Sequence, residues 1–120
     1  MSKSLYKGRN LIGLIGDEDT VTGLLLTGIG DIDEKQRPNF MVVDKKTPAQ
    51  DIMTKFDELT KTRKDIGIVL INQWIANEIR ATIDSYDAPF PTILEIPSKD
   101  YPYDPSKDSV LKRIQKLTDE

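Results

Sequence analysis

The sequence contains neither histidine nor cysteine among its 120 residues. Without histidine, it lacks the usual general base at neutral pH and the imidazole ligand of many metal sites. Without cysteine, it has no disulfide, no thiolate nucleophile and no cysteine-ligated zinc. Any catalysis would have to rest on carboxylates, lysines or a hard cation. We therefore predict a protein without catalytic residues, metal or cofactor, which works by binding.

The charge and hydropathy of the chain argue against two further classes of protein, those that bind nucleic acids and those that insert into membranes. The net charge is only −3, so no basic excess is present to neutralise phosphates and no nucleic-acid partner is expected. The longest apolar runs stop short of the ~20 residues that a membrane span needs, so we expect no direct insertion into a membrane. Residues 1–4 lead into a short apolar segment interrupted by Gly13 and Gly16, which is unlike a signal peptide. A cytosolic protein of one domain is the expectation.

Four short apolar runs predict four buried strands, at residues 11–16, 40–43, 66–71 and 92–96. The segments between them have helical patterns. Thr20 can cap a first helix, which Gly28 and Gly30 would end, and Pro48 suits the first turn of a second. The apolar positions of the three helices are Val21, Leu24, Leu25 and Ile29; Ile52, Phe56 and Leu59; and Ile75, Ile79, Ile83 and Tyr86. This alternation predicts a Rossmann or flavodoxin-like α/β fold with a four-stranded parallel sheet in the order 2-1-3-4.

The end of the chain departs from this pattern. Residues 97–106 carry three prolines, a poor connection for a helix that folds straight back onto its sheet. We therefore predict an α/β domain at 1–97 and a separable linker and helix at 98–120, capped by Ser106. The apolar positions of this helix have coiled-coil spacing and basic neighbours: Val110, Leu111, Ile114 and Leu117, with Lys112, Arg113 and Lys116. The interpretation is docking on a long helix or coiled coil with acidic flanks; the alternative is that this helix is a further one packed on its own sheet.

The default ligand site of such a sheet lies where the strand order reverses. The sequence brings five polar residues there: Asp17, Glu18, Asp19, Asn72 and Gln73. A receiver-like signalling module with a divalent cation at Asp17 and Glu18 is therefore an alternative function, and a carboxylate-dependent hydrolase is another. A receiver needs an aspartate where this chain has Asn72, so we expect Asn72 to bond to a loop backbone and the acidic residues to complement a helix N-terminus.

Three further features are predicted to lie at the surface. Residues 31–39 form a polar loop with Pro38, interpreted as a solvated connector or, alternatively, as a contact element. Residues 61–65 (KTRKD) have the composition of a solvated helix end. Trp74 lies one position away from the apolar stripe of its helix. We expect it at the margin of the core, either as a partly buried edge residue or as an interface anchor.

Specific segments of the chain resemble the F subunit of the eukaryotic vacuolar-type proton-translocating ATPase (V-ATPase). They are residues 15–23 (IGDEDTVTG), 28–30 (GIG), 38–40 (PNF), 65–73 (DIGIVLINQ), 93–100 (ILEIPSKD), 102–104 (PYD) and 107–113 (KDSVLKR). They occur in order and at the family's length.

This resemblance implies a non-catalytic, regulatory part of the rotating central stalk that couples ATP hydrolysis to proton pumping. It implies a Rossmann-like domain whose C-terminal helix lies along the coiled coil of the stalk's D subunit, with the catalytic A/B hexamer and the membrane sector nearby. It further implies a place in a peripheral complex on the cytoplasmic face of vacuolar and other endomembranes, and in the cytosol when dissociated.

Overall fold

In the computed structural model, which describes residues 8–118, four parallel strands form one sheet in the order β2-β1-β3-β4. The strands are β1 (Leu11–Gly16), β2 (Phe40–Val42), β3 (Ile66–Asn72) and β4 (Thr92–Ile96). The predicted fold class and strand order are confirmed. Residues 1–7 of the predicted domain and residues 119–120 of the predicted tail lie outside the described residues.

The first helix, α1 (Glu18–Leu25), begins at a different residue from the one predicted. Asp17 is its N-cap, because the Asp17 carboxylate accepts the backbone N–H of Thr20 at 2.9 Å. Thr20 thus donates to the cap instead of being it, and the prediction was wrong by three residues. The helix ends before Ile29, and Gly28 follows in the left-handed region at a φ of 91°.

The next three helices cover one face of the sheet. They are α2 (Ala49–Asp57), which continues into a π-helical turn at Glu58–Thr62, α3 (Gln73–Glu78) and α4 (Arg80–Asp84). All seven predicted apolar positions of these segments are buried in the core, as predicted: Ile52, Phe56, Leu59, Ile75, Ile79, Ile83 and Tyr86. The third predicted helix is interrupted at Ile79, whose φ and ψ of −125° and 33° separate α3 from α4.

The glycines of β1 permit close packing of helices over the sheet. A Cβ on Gly13 would lie 3.2 Å from Leu59, and one on Gly16 would lie 3.3 Å from Thr20 and Val21 of α1. Because both distances are shorter than ordinary van der Waals contact, the helices on each face can approach this strand only where it lacks side chains.

The predicted solvated segment at 61–65 is wrong at its centre. Arg63 is only 2% exposed and forms ion pairs with Asp31 at 3.3 Å and Asp65 at 2.8 Å. It also donates to the backbone carbonyl of Arg37 at 2.9 Å. The loop at 31–39 is therefore attached to the sheet rather than merely exposed, and Asn39 within it is buried.

The last helix, α5 (Ser109–Thr118), follows a short 3₁₀ turn at Pro105–Lys107. Ser106 is not its cap, contrary to the prediction. The Asp108 carboxylate accepts the N–H of Val110 at 2.9 Å and that of Leu111 at 3.4 Å, which is the position that caps α5. Within residues 8–118, no helix combines the length and the hydrophobicity needed to cross a bilayer.

Candidate partner-binding surface

The linker before α5 packs along the carboxyl edge of the sheet. The side-chain amide of Gln73 donates to the Asp104 carbonyl at 2.7 Å and accepts the Asp104 N–H at 2.6 Å. The rings of Trp74 and Tyr101 lie 5.7 Å apart between their centroids. These contacts hold the proline-bearing segment against the domain before α5 begins.

A buried polar cluster fixes the first residue of α5. Glu95, in β4, accepts the backbone N–H of Ser109 at 3.2 Å and forms an ion pair with Arg80 at 2.6 Å. Arg80 also donates to the Ser109 hydroxyl at 3.0 Å, and that hydroxyl donates to Asp84. We call Arg80, Asp84, Glu95 and Ser109 the anchor cluster. Because Glu95 and Ser109 are both buried, their interactions are poorly screened by solvent.

A second interaction supports the cap of α5. The Tyr103 hydroxyl donates to the Asp108 carboxylate that caps the helix. This hydrogen bond, with smaller contributions from burial and from nearby carboxylates, raises the pKa of Tyr103 to about 12. The phenol therefore stays protonated and keeps donating throughout the physiological range.

From its third residue onward, α5 presents apolar side chains to solvent. Leu111, Ile114 and Leu117 are 41%, 51% and 75% exposed. Leu111 and Ile114 line an open groove of about 780 Å³ together with Pro105. Val110, the fourth apolar residue of the predicted seam, is half-buried.

The predicted basic residues divide between two directions. Lys112 and Lys116 are exposed and line the same groove as Leu111 and Ile114. Arg113 instead donates to the backbone carbonyl of Ile83, at the end of α4, at 2.8 Å. The groove thus unites four of the seven predicted residues, whereas Arg113 is bound to the parent domain.

The switch point of the sheet has a smaller cleft of about 360 Å³, lined by Asp17, Glu18, Asp19 and Trp74 among others. The Asp17 carboxylate already has partners within the fold: although burial raises its pKa, hydrogen bonds from Thr20 and Trp74 hold that pKa below the ordinary value. Within residues 8–118, no three carboxylate side chains are arranged so that they could hold a metal ion together.

Two expectations for this edge are confirmed. The Asn72 side chain accepts the Asp17 N–H at 2.8 Å and donates to the Pro97 carbonyl at 3.1 Å, so it connects two loop backbones. Trp74 is half-buried at the margin of the core. The anchor cluster, by contrast, was not predicted; its available signal is Glu95, a lone charge in the apolar run at 92–96.

A parallel sheet in the order 2-1-3-4, with an amphipathic helix extending from its last strand, defines a Rossmann-like protein with a helical arm. The chain belongs to the family of the ATP synthase (F/14-kDa) subunit, whose sequence profile matches residues 12–114.

Curated relatives narrow the family further. The F subunit of the V-type proton ATPase of Saccharomyces cerevisiae is 60% identical over 111 residues, which cover 91% of this chain and 94% of the relative. Its counterpart in Neosartorya fischeri is 55% identical over 114 residues, or 93% and 92% of the two chains. That of Arabidopsis thaliana is 51% identical over 107 residues, or 89% and 83%. The predicted family is confirmed, and the chain is an accessory, non-catalytic component of a proton-translocating ATPase.

Proposed function

We propose that this chain is part of the rotating central stalk of a V-type proton ATPase, where α5 binds the coiled coil of the stalk's D subunit. The observation that carries the proposal is the exposure of Leu111, Ile114 and Leu117 on a helix whose first residue is fixed to the domain. An apolar stripe of this kind on an exposed helix fits a partner helix. The α/β domain predicted at 1–97 then forms the body of the subunit, and the segment predicted at 98–120 is the docking segment.

The energetics are adequate for a joint in an assembly. Burial of three such aliphatic side chains is worth on the order of 5 kcal/mol before ordering costs. The anchor cluster already restricts the first turn of α5, which lowers those costs because less freedom is lost on binding. Lys112 and Lys116 beside the apolar residues favour a partner with acidic flanks.

The mechanical role follows from this attachment. When ATP hydrolysis in the neighbouring A/B hexamer turns the stalk, a protein bound along the coiled coil stiffens it and tunes its coupling to proton pumping in the membrane sector. The chain itself would be held at the cytoplasmic face of vacuolar or other endomembranes by its partners, and would be cytosolic when the peripheral complex dissociates.

Two exposed residues offer a direct test. We expect the double variant Ile114→Ser, Leu117→Ser to bind the D-subunit coiled coil about 100-fold more weakly, because both side chains lose their buried contact. The matched control is Leu26→Ser, an 84% exposed leucine at the end of α1. Calorimetric titration measures all three affinities. If the double variant and the control bind as tightly as the unmodified chain, α5 is not the docking element.

A further inference from the structure

The register of the sheet identifies which residues share its second face. Directly paired residues in neighbouring parallel strands point to the same side. Leu14 of β1 pairs with Leu70 of β3, and Leu70 pairs with Leu94 of β4. A second row joins Ile68 to Thr92. These rows lie opposite the core cluster that α2, α3 and α4 cover, because the cluster contains the intervening residues of β3 and β4.

Helix α1 covers only one half of this second face. It packs against β1 and β2, and Leu14 beneath it is fully buried. Exposure then rises along the row: Leu70 is partly buried, and Leu94 is 42% exposed. Ile68 is 37% exposed. We call the half formed by Ile68, Leu70, Thr92, Leu94 and Ile96 the open face.

The course of the chain after β4 explains why no helix within residues 8–118 returns over this half. A helix that followed β4 directly could return over the second face, as α1 does after β1. Instead the proline-bearing linker leads to Ser109, which is held by Glu95 and Asp84 on the first face. Leu94 and Ile96 flank Glu95 in the same strand and point the other way. The open face and the start of α5 therefore meet at β4, an edge strand.

The dimensions and chemistry of the open face fit one helix. Two neighbouring strands are about 10 Å wide, which matches the diameter of an α-helix. None of its five side chains is charged. A second copy of the chain is a poor occupant of this face. Each partner of a stable dimer buries about 800 Å² of surface, and five partly exposed side chains cannot supply that area. A helix of a chain already bound through α5 needs no such area, since the main cost of association is already met.

We propose that the partner bound by α5 also contributes an amphipathic helix whose apolar side packs against the open face. This inference rests on the proposed function, because it assigns a second contact to the same partner. The partner then contacts the β4 edge of the sheet from both faces. It binds α5 on the first face and Leu94 and Ile68 on the second. A two-sided contact resists rotation of the domain about α5, which a single helix–helix contact does not.

The absence of native cysteine provides a clean test. Three variants each carry a single thiol: Leu94→Cys on the open face, Leu117→Cys on α5, and Leu26→Cys as the exposed control. Their maleimide labelling rates are compared in the free chain and in the complex with the stalk partner. We expect the complex to slow labelling at positions 94 and 117 about tenfold or more, because interface cores exclude water, and to leave position 26 nearly unchanged.

The possible outcomes separate the two claims. Protection at 117 without protection at 94 overturns this inference and leaves the proposed function intact. Full reactivity at 117 in a complex that still forms overturns the proposed function, and this inference with it. Slow labelling of position 94 in the free chain also contradicts the inference. If labelling becomes faster on dilution, a second copy of the chain covers the face; if it stays slow, the chain's own residues cover it.

A binding measurement gives an independent check. Leu94→Lys introduces a charge on a partly exposed side chain, so the free domain keeps its fold, as circular dichroism would verify. We expect an affinity for the partner lower by about tenfold, whereas Leu26→Lys leaves it unchanged. Equal affinities for the two variants would refute a helix at the open face.

Discussion

At the scale of single residues, Arg63 connects two segments that are distant in sequence. Its guanidinium reaches the carboxylates of Asp31 and Asp65 and the carbonyl of Arg37. A buried cation with several partners contributes most visibly when it is removed, because its former partners are left uncompensated. Arg63 therefore acts as the attachment of the loop at 31–39 to the start of β3.

Replacement of Arg63 tests this role. We expect Arg63→Met to lower the free energy of unfolding by about 2 kcal/mol, because the Arg37 carbonyl and the partly exposed carboxylates of Asp31 and Asp65 lose their hydrogen bonds. Lys61→Met is the control, since Lys61 is exposed and its ion pair with Asp57 is long, at 3.4 Å; its effect should stay within about 0.5 kcal/mol. Denaturant titration measures both. Equal losses in the two variants would show that Arg63 is an ordinary surface cation.

Tyr103 gives a prediction about pH. Its pKa is raised to about 12 in the fold by the hydrogen bond to Asp108, so the folded state holds this proton more tightly than the unfolded state. The contribution to stability is complete below the unfolded pKa of about 10 and is lost as the pH rises from 10 to 12.

The Tyr103→Phe variant isolates this effect. We expect it to lack one phenolate absorbance step near pH 12 and to lose less stability than the unmodified chain between pH 10 and 12. Tyr86, whose pKa burial also raises to about 12, is present in both proteins and cancels in the difference. A missing step near pH 10 instead of pH 12, with no difference in stability between pH 10 and 12, would mean that the contact between Tyr103 and Asp108 does not persist in solution.

At the scale of elements, the strands and the capping residues differ in how far sequence determines them. Consecutive apolar residues predict a strand wherever it pairs, so β1 and β3 were located within a residue. Burial on both faces was predicted for every strand and is wrong for β3 and β4, where Ile68 and Leu94 are partly exposed. A cap depends on where the helix starts. The cap of α1 is Asp17, three residues before the predicted Thr20, and the cap of α5 is Asp108, two residues after the predicted Ser106. Several neighbouring residues can accept the same backbone N–H groups, and only the path of the chain selects one.

The anchor cluster is the element-level feature with the clearest consequence for α5. We expect Glu95→Gln to reduce the hydrogen-exchange protection of α5 amides about tenfold or more while leaving β1 and β3 protected. The neutral amide at position 95 removes the charge that attracts Arg80. Its NH₂ group also faces the N–H of Ser109 and the guanidinium of Arg80, which are themselves donors. Glu78→Gln, the same change on the exposed surface of α3, is the control. Unchanged protection in Glu95→Gln would show that α5 is held by other contacts.

The exposed lysines of α5 predict a dependence on salt. We expect Lys112→Glu, Lys116→Glu to slow association with the D-subunit coiled coil and to reduce its sensitivity to ionic strength, because steering acts through exposed charges. Lys45→Glu, Lys46→Glu is a matched control at an exposed loop after β2. Stopped-flow association rates at several salt concentrations distinguish the two pairs, and equal rates would contradict an acidic partner surface.

At the scale of the whole molecule, the fold was predictable because its signals are local. Apolar runs, helical stripes and intervening loops follow one another along the chain and imply the crossovers that set the strand order. The ion pairs of buried residues were not predictable, because their partners are far apart in the sequence: Arg63 and Asp31 are separated by 32 residues. Nothing in the segment 61–65 distinguishes its buried arginine from the exposed lysines beside it. The candidate surface was predictable in composition, but the direction of Arg113 depends on the packing of α5 against α4.

Removal of the proposed docking segment tests whether it binds the stalk partner. Calorimetric titration against the D-subunit coiled coil compares the affinity of the full chain with that of a chain ending at Ser98, after circular dichroism has verified that the shortened domain is folded. We predict binding weaker by about 100-fold or more, because the contacts of Leu111, Ile114 and Leu117 are lost. Undiminished affinity of the shortened chain would contradict this role of the segment.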